Sequence, residues 1–288
     1  MNKLVIFGVG LIGGSVALAL KKAGLNTHIV GVGRSQSSLN DALSLKIIDS
    51  AESDIQSALI DADMVLIAAP VAQTKHILQS IQPHITPNMV ITDAGSTKCD
   101  VLACAKEVLG AQFSQFVGGH PIAGAEKSGA SAAKADLYIN KNVILTPTAE
   151  TNATATQAVD ALWANCGAIV SEMAAETHDG IFAAVSHLPH LLAFALVDDI
   201  ANRPNAKQLF SFAASGFRDF TRIAGSHPEM WRDISLANRT ALLSEISAFQ
   251  TELSMLKQLL ENEDSAGLEA LFERASHARN QWANGKHS

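Results

Sequence analysis

The chain is poor in cysteine, in aromatic residues and in clustered positive charge, and each shortage removes a class of protein. Only Cys99, Cys104 and Cys166 are present, an odd number with no C-x-x-C spacing. That argues against a disulfide framework and a zinc knuckle, and it suits a reducing compartment, which we take to be the cytoplasm. A formal net charge of −7 leaves little basic surface for nucleic acid or an anionic membrane, so neither is expected as a partner. A small anionic substrate stays compatible wherever a few arginines converge. The amino terminus lacks a basic segment followed by a long apolar run, so we read no signal peptide. The run "IFAAVSHLPHLLAFALV" from Ile181 to Val197 is apolar enough to resemble a membrane span. Its middle holds His187, Pro189 and His190, so a buried helix of a folded domain is expected instead.

What the chain does have is a core. With 48% hydrophobic and 17% charged residues over 288 positions it is globular and long enough for two domains. From Lys3 to about Thr148, short β-branched runs ("LVIFG", "HIVGVG", "MVLIAAP", "MVITDAG", "FVGG", "NVILTPT") alternate with amphipathic segments, the pattern of a parallel-rich sheet covered by helices. A helix over Asn152 to Cys166 and a short strand "AIVSEM" complete that half. From about Ala174 onward strand signals vanish and apolar residues recur at three- and four-residue spacings, predicting an all-α second half. We therefore expect an α/β domain over 1–173 and an all-helical domain over 174–288. The apolar helix after Leu188 points to burial against a partner, most simply a second copy.

"VIFGVGLIGGS" sets Gly8, Gly10 and Gly13 in G-x-G-x-x-G spacing after a strand and at the start of a helix, with Leu11 and Ile12 in its first turn. That arrangement suits a dinucleotide: a tight turn, close approach of a pyrophosphate, and helix amides facing the phosphates. The next strand lacks the acid that usually meets the adenosine ribose. "GVGRSQSS" offers Arg34 and Ser35 with Ser38 in its place, which favours NADP over NAD; stacking of Arg34 on adenine is the reading compatible with either.

Ligands of such sheets bind beyond the carboxyl ends of the strands, where Gly8, Gly33, Pro70, Ser96 and His120 fall. Pro70, in "VLIAAP", also helps to stop its strand. His120, in "FVGGHPIAGAEKSG", is the candidate base, since an unperturbed imidazole near ~6.5 is mostly neutral at cytosolic pH. Gly118 and Gly119 beside it suggest close ligand approach, and Glu126, Lys127 and Ser128 follow in a second loop. Two roles are open to Ser96: orienting the reacting groups, or capping the helix that Thr97 and Lys98 begin. Arg218 and Arg222, four apart on one helical face, fit a carboxylate on the substrate or a salt bridge with Asp179 or Asp219. His187 and His190 have a spacing that could hold a metal, but no third ligand is apparent, so no metal is expected.

In this order, "GVGLIGGSVA", "DAGSTK", "GGHPIAGAEKSG", "HDGIFAAVSHLPHLLAFAL" and "GFRDFTRIAGSHPEMW" resemble the prephenate and arogenate dehydrogenases of tyrosine biosynthesis. The resemblance covers nearly the whole chain. It implies a Rossmann-type nucleotide domain followed by a helical dimerisation domain, and NAD(P)-dependent oxidative decarboxylation of prephenate to 4-hydroxyphenylpyruvate, or of arogenate to tyrosine. It further implies His120 as catalytic histidine, Ser96 as its partner, His190 and Arg222 on the substrate side with Arg218 nearby, and Glu126 and Asp179 as acids near the entrance. Ser288 leaves room for neither a mutase segment nor a regulatory domain, so tyrosine inhibition would act through the substrate site. A β-hydroxyacid dehydrogenase or imine reductase, and a nonenzymatic NADP-binding sensor, are the competing readings.

Overall fold

The structure, a computed structural model, describes residues 1–124 and 129–285. Strand β1 (Lys3–Phe7) shows why the first half is layered: Leu4 and Ile6 belong to one buried cluster and Val5 and Phe7 to another. Successive side chains of a strand point to opposite faces, so an uninterrupted apolar run has to be covered on both sides. β4 (Met64–Ile67) divides in the same way, Met64 and Leu66 against Val65 and Ile67. Each fully buried side chain of this kind stabilises the fold by about 1.5–3 kcal/mol.

The remaining strands are β2 (His28–Val32), β3 (Ser50–Ala51), β5 (Val90–Asp93), β6 (Phe116–Pro121), β7 (Asn142–Thr146) and β8 (Ile169–Glu172). They form one sheet in the order β3-β2-β1-β4-β5-β6-β7-β8. Every pairing is parallel except β6 with β7, so the sheet is parallel-rich as expected. Helices α1 (Leu11–Lys22), α2 (Gln36–Ser44), α3 (Ile55–Leu59), α4 (Thr74–Ile81), α5 (Cys99–Leu109) and α6 (Ala153–Asn165) connect the strands. The order reverses between β1 and β4, which opens the crevice where such sheets take ligands.

Beyond β8 the elements are helical: α7 (Ala175–Phe182), a π-helical turn Ala183–His187, α8 (Leu188–Ala201), α9 (Ala206–Ser211), α10 (Ser215–Thr221) and α11 (Pro228–Ala237). The chain divides into two compact units, Met1–Arg239 and Thr240–Ser288; the second holds most of α12 (Arg239–Glu261) and α13 (Ser265–Gly285).

Four local expectations are corrected. β4 ends at Ile67, three residues before Pro70, which instead precedes a short 3-10 turn. His120 lies within β6, paired opposite Ile144, rather than just past it. Arg218 and Arg222 do not share one helix, because α10 stops at Thr221 and Arg222 opens a 3-10 turn. The apolar helical stretch Ala175–Ala201 is not buried within its own chain: only 28% of its most apolar window is covered, and α8 buries Leu188 and Ala193 alone.

At the β1–α1 turn two glycines of the fingerprint are required by packing and one is not. Gly8 has φ +93°, a left-handed conformation. A Cβ on Gly13 would lie 2.4 Å from the Gly8 carbonyl oxygen, whereas one on Gly10 would meet nothing within 4 Å. Gly13→Ala should therefore cost about 1–3 kcal/mol and lower the melting temperature by several degrees. Gly10→Ala should leave it within ~1 °C of the parent. Equal melting temperatures for the two variants would contradict this packing.

Candidate active site

The site is built on a buried ion pair. Lys98 is 0% and Asp93 1% exposed; the Lys98 ammonium donates to Asp93 Oδ2 and, at 2.8 Å, to the Gly119 carbonyl. Asp93 also accepts from the amides of Gly95 at 2.7 Å and Gly119 at 3.0 Å. Both backbone polar groups of Gly119 are thus held by one charge pair, and His120 is the next residue. This explains the two glycines differently from the sequence. A Cβ on Gly118 would sit 2.4 Å from Thr146 Oγ1 and one on Gly119 2.8 Å from the Asp93 carbonyl oxygen, so packing between strands, not ligand approach, demands them.

The His120 ring, partly exposed, lies between two rings of α7. Its Nδ1 is 2.8 Å from Nε2 of fully buried His178, and Phe182 packs against it edge-on at 4.8 Å. His178 Nδ1 in turn lies 2.8 Å from Oδ1 of Asp179. The Asp179 carboxylate accepts from the Lys98 amide at 2.8 Å and the Cys99 amide at 2.9 Å, so it caps α5. Two expectations fail here. Ser96 does not cap that helix, because Asp179 from α7 already does. Asp179 is not an entrance residue paired with arginine; it is 4% exposed and bound to His178 and the helix end.

A second group of rings lies on the helical side. Asn238 Nδ2 donates to the Asp179 carbonyl at 2.8 Å and is 3.1 Å from His187 Nδ1. His190 donates from Nδ1 to the Ser186 carbonyl at 2.9 Å and stacks on Trp231 with centroids 3.6 Å apart. Ser186 and His187 belong to the π turn, a local widening that suits functional positions. Trp231 Nε1 is buried without a partner among the described residues. Arg218 and Arg222 are exposed, and neither Asp179 nor Asp219 pairs with Arg218 among the described residues. Glu126 and Ser128 lie outside the described residues.

Burial keeps these imidazoles neutral. Desolvation first, then the charges of His178, Lys98 and His187, push His120 well below the ordinary histidine value. His178 is lowered by burial, in part offset by Asp179. His187 falls to about 4, chiefly through burial. His190 is lowered by burial and by the Arg222 guanidinium, against the opposing hydrogen bond to Ser186. Burial alone would raise Asp179; the His178 ring and the two backbone amides outweigh it and hold the carboxyl below its usual range.

The turn after β1 fits a dinucleotide. The amino end of α1 has no side-chain cap and no acid in its first turn, and Gly10 leaves the space above it open. Ser35 caps α2 through Ser38 N, with the Ser37 and Ser38 hydroxyls 2.9 and 3.1 Å from its own.

Residues 16–172 match the nucleotide-binding domain of prephenate dehydrogenase, and residues 174–274 match its dimerization domain. The chain belongs to the prephenate dehydrogenase family. It is 40% identical over 280 residues to the prephenate dehydrogenase of Bacillus subtilis (strain 168), covering 96% of this chain and 75% of that one. It is 33% identical to the cyclohexadienyl dehydrogenase of Zymomonas mobilis subsp. mobilis, over 96% of this chain and 94% of that one. The crystal structure of the A. aeolicus prephenate dehydrogenase in complex with hydroxyphenyl propionate and NAD+ superimposes with a TM-score of 0.92 at 37% identity, over 98% of each chain. In this prephenate dehydrogenase family member, the residues that spacing alone could not reveal are His178, Lys98, Asp93, Asn238 and Trp231. Apart from the Lys98–Asp93 and His178–Asp179 contacts, the partners that bring them to the site are distant in sequence, 58 positions in the case of His178 and His120.

The neutral histidines set a stability–pH relation. A histidine whose folded pKa lies below its unfolded one stabilises fully above the unfolded value, and the contribution is lost as pH falls through the folded value. For His187 that window runs from 6.5 down to about 4, on the order of 3 kcal/mol. The melting temperature should decline across it, and His187→Asn, which can still bond to Asn238, should flatten the decline. A pH-independent melting temperature between those limits would refute the assignment.

Proposed function

We propose that the chain catalyses NAD(P)+-dependent oxidative decarboxylation of prephenate to 4-hydroxyphenylpyruvate, with arogenate as the alternative substrate. The observation that carries this reading is the His120 ring. It is neutral, partly exposed and held by a buried clamp at the same end of the sheet as the glycine turn, in a chain whose two halves match that family.

Bound NAD(P)+ would supply the hydride acceptor. His120 takes the proton of the ring hydroxyl as hydride leaves the same carbon, which generates a dienone. The bond to the ring carboxylate then breaks, carbon dioxide leaves, and its electron pair makes the ring aromatic with a phenolate oxygen. The proton on His120 returns to that oxygen, so the base is regenerated. Arg222, with Arg218 nearby, holds the ring carboxylate, and its charge already reaches His190. His190, which donates from Nδ1 to Ser186, keeps Nε2 as an acceptor for the substrate. Ser96 orients the reacting hydroxyl; its place between Asp93 and Lys98, both bound to the neighbour of His120, supports that role. Glu126 and Ser128 are proposed as substrate-side residues on the resemblance alone.

Gly8, Gly10, Leu11, Ile12 and Gly13 cradle the pyrophosphate, and Pro70 and Ser96 border the nicotinamide. We favour NADP over NAD, because Arg34 and the hydroxyls around Ser35 stand where an acid would repel a 2′-phosphate. We put the domain boundary at 173/174, and the half-buried apolar residues of α8, with exposed Ile181 and Val185 just before it, support a homodimer through the helical domain. We place the reaction in the cytoplasm, where three free cysteines stay reduced.

His120→Asn should lower kcat by about 10³-fold while cofactor affinity stays unchanged. Retained turnover would remove the assignment of the base. Initial rates with prephenate and arogenate, each with NADP and NAD, decide substrate and cofactor. In the same assay Arg34→Asp should shift the NADP/NAD ratio toward NAD by about tenfold or more; an unmoved ratio would end the preference for NADP.

A further inference from the structure

Resting on the reading of His120 as the base, we infer that His178, held by Asp179, is a positioning residue that determines which ring nitrogen of His120 is free to accept the proton. The inference follows from counting donors. Asp179 accepts two backbone amides and is ionised, so it offers no proton of its own. His178 Nδ1, 2.8 Å from Asp179 Oδ1, must therefore carry the hydrogen. A neutral imidazole has one, so His178 Nε2 is a bare acceptor. Across the 2.8 Å contact between the two rings, His120 Nδ1 is then the donor. The lone pair of His120 is left on Nε2, the nitrogen with no hydrogen-bond partner among the described residues.

Among the described residues no competing partner disturbs this order. His178 is fully buried, and Phe182 packs against both rings, at 4.8 Å from His120 and 4.5 Å from His178. A core histidine would be satisfied by Asp179 alone; here the second nitrogen is spent on the base. When His120 takes up a proton, His178 Nε2 still accepts from its Nδ1–H, so the imidazolium forms without rearrangement and with the Asp179 charge one ring away. The carboxylate is fixed in turn by the Lys98 and Cys99 amides at the amino end of α5.

Two substitutions separate positioning from packing. In His178→Gln the amide group can donate to Asp179 and its oxygen can accept from His120; in His178→Phe the space is filled but the acceptor is gone. We expect His178→Phe to lose about 100-fold or more in kcat with KM changed by less than about threefold, and His178→Gln to stay within about tenfold of the parent. Cofactor affinity should be unchanged in both. Independently of turnover, nitrogen-15 spectra of the free parent protein, with His120 assigned through His120→Asn, should show His120 protonated at Nδ1. Equal losses in the two variants, no loss in either, or an Nε2-protonated His120 would each overturn the proposal. If the Phe variant does not fold, the Gln variant and the spectrum still decide it. Full turnover by His120→Asn would instead sink the assignment of the base and leave the tautomer measurement standing.

Discussion

The structure around the site depends on a lysine and an aspartate taken wholly out of water. Burying Lys98 and Asp93 carries a desolvation penalty that an ion pair offsets only when its remaining hydrogen-bonding capacity is filled. Here it is largely filled by backbone: Gly95 and Gly119 amides on the carboxylate, the Gly119 carbonyl on the ammonium. The arrangement ties the end of β5, the entry to α5 and the middle of β6 to one point. A one-residue slip of β6 would send each side chain to the other face and take from each charge its bond to Gly119. Register at His120 is thus fixed by electrostatics as well as by the sheet, and the missing side chains at Gly118 and Gly119 are the space that permits it.

Asp179 performs a similar service for the helical elements. Its carboxylate ties α7 to the first turn of α5, and its carbonyl is gripped by Asn238, just beyond α11. These bonds help to explain why one compact unit runs from Met1 to Arg239, spanning sheet and first helices alike. A proton-handling group on a strand and its partner ring on a helix need this rigidity, since reacting atoms misplaced by about 1 Å forfeit much of the rate.

Much of this was legible in the residues, and the failures have a common cause. The parallel-rich sheet, the glycine turn after β1 and the helical second half follow from periodicity and local turn chemistry, which act over a few positions. Ser96 as a helix cap, Pro70 as a strand end and two arginines on one helix are also local inferences; a tertiary contact from Asp179 overrides the first, β4 ends before the second, and an early helix stop parts the third. His178 stands beside Asp179 in "HDGIFAAV", and nothing local says that an imidazole 58 positions away will meet it. The glycines before His120 were legible as necessary but not for the right reason, because ligand approach and strand packing leave the same mark on a sequence.

The charge state of the rings has a further consequence for recognition. His120, His178, His187 and His190 are all held below the ordinary histidine value, so at neutral pH none brings positive charge to the site. Lys98 is cationic but sealed, its charge matched by Asp93. Under the proposed function, attraction for a doubly anionic substrate then falls to guanidinium groups, which cannot lose their charge. The division is useful: a cation that binds must stay charged throughout, while a base must begin neutral and become charged only as the hydroxyl proton leaves. Placing Arg222 near His190 reinforces the separation, since its field further disfavours protonation of that ring. On the proposed role of Arg222, a substrate carboxylate seated on the guanidinium would screen that field and so couple anion binding to protonation of His190.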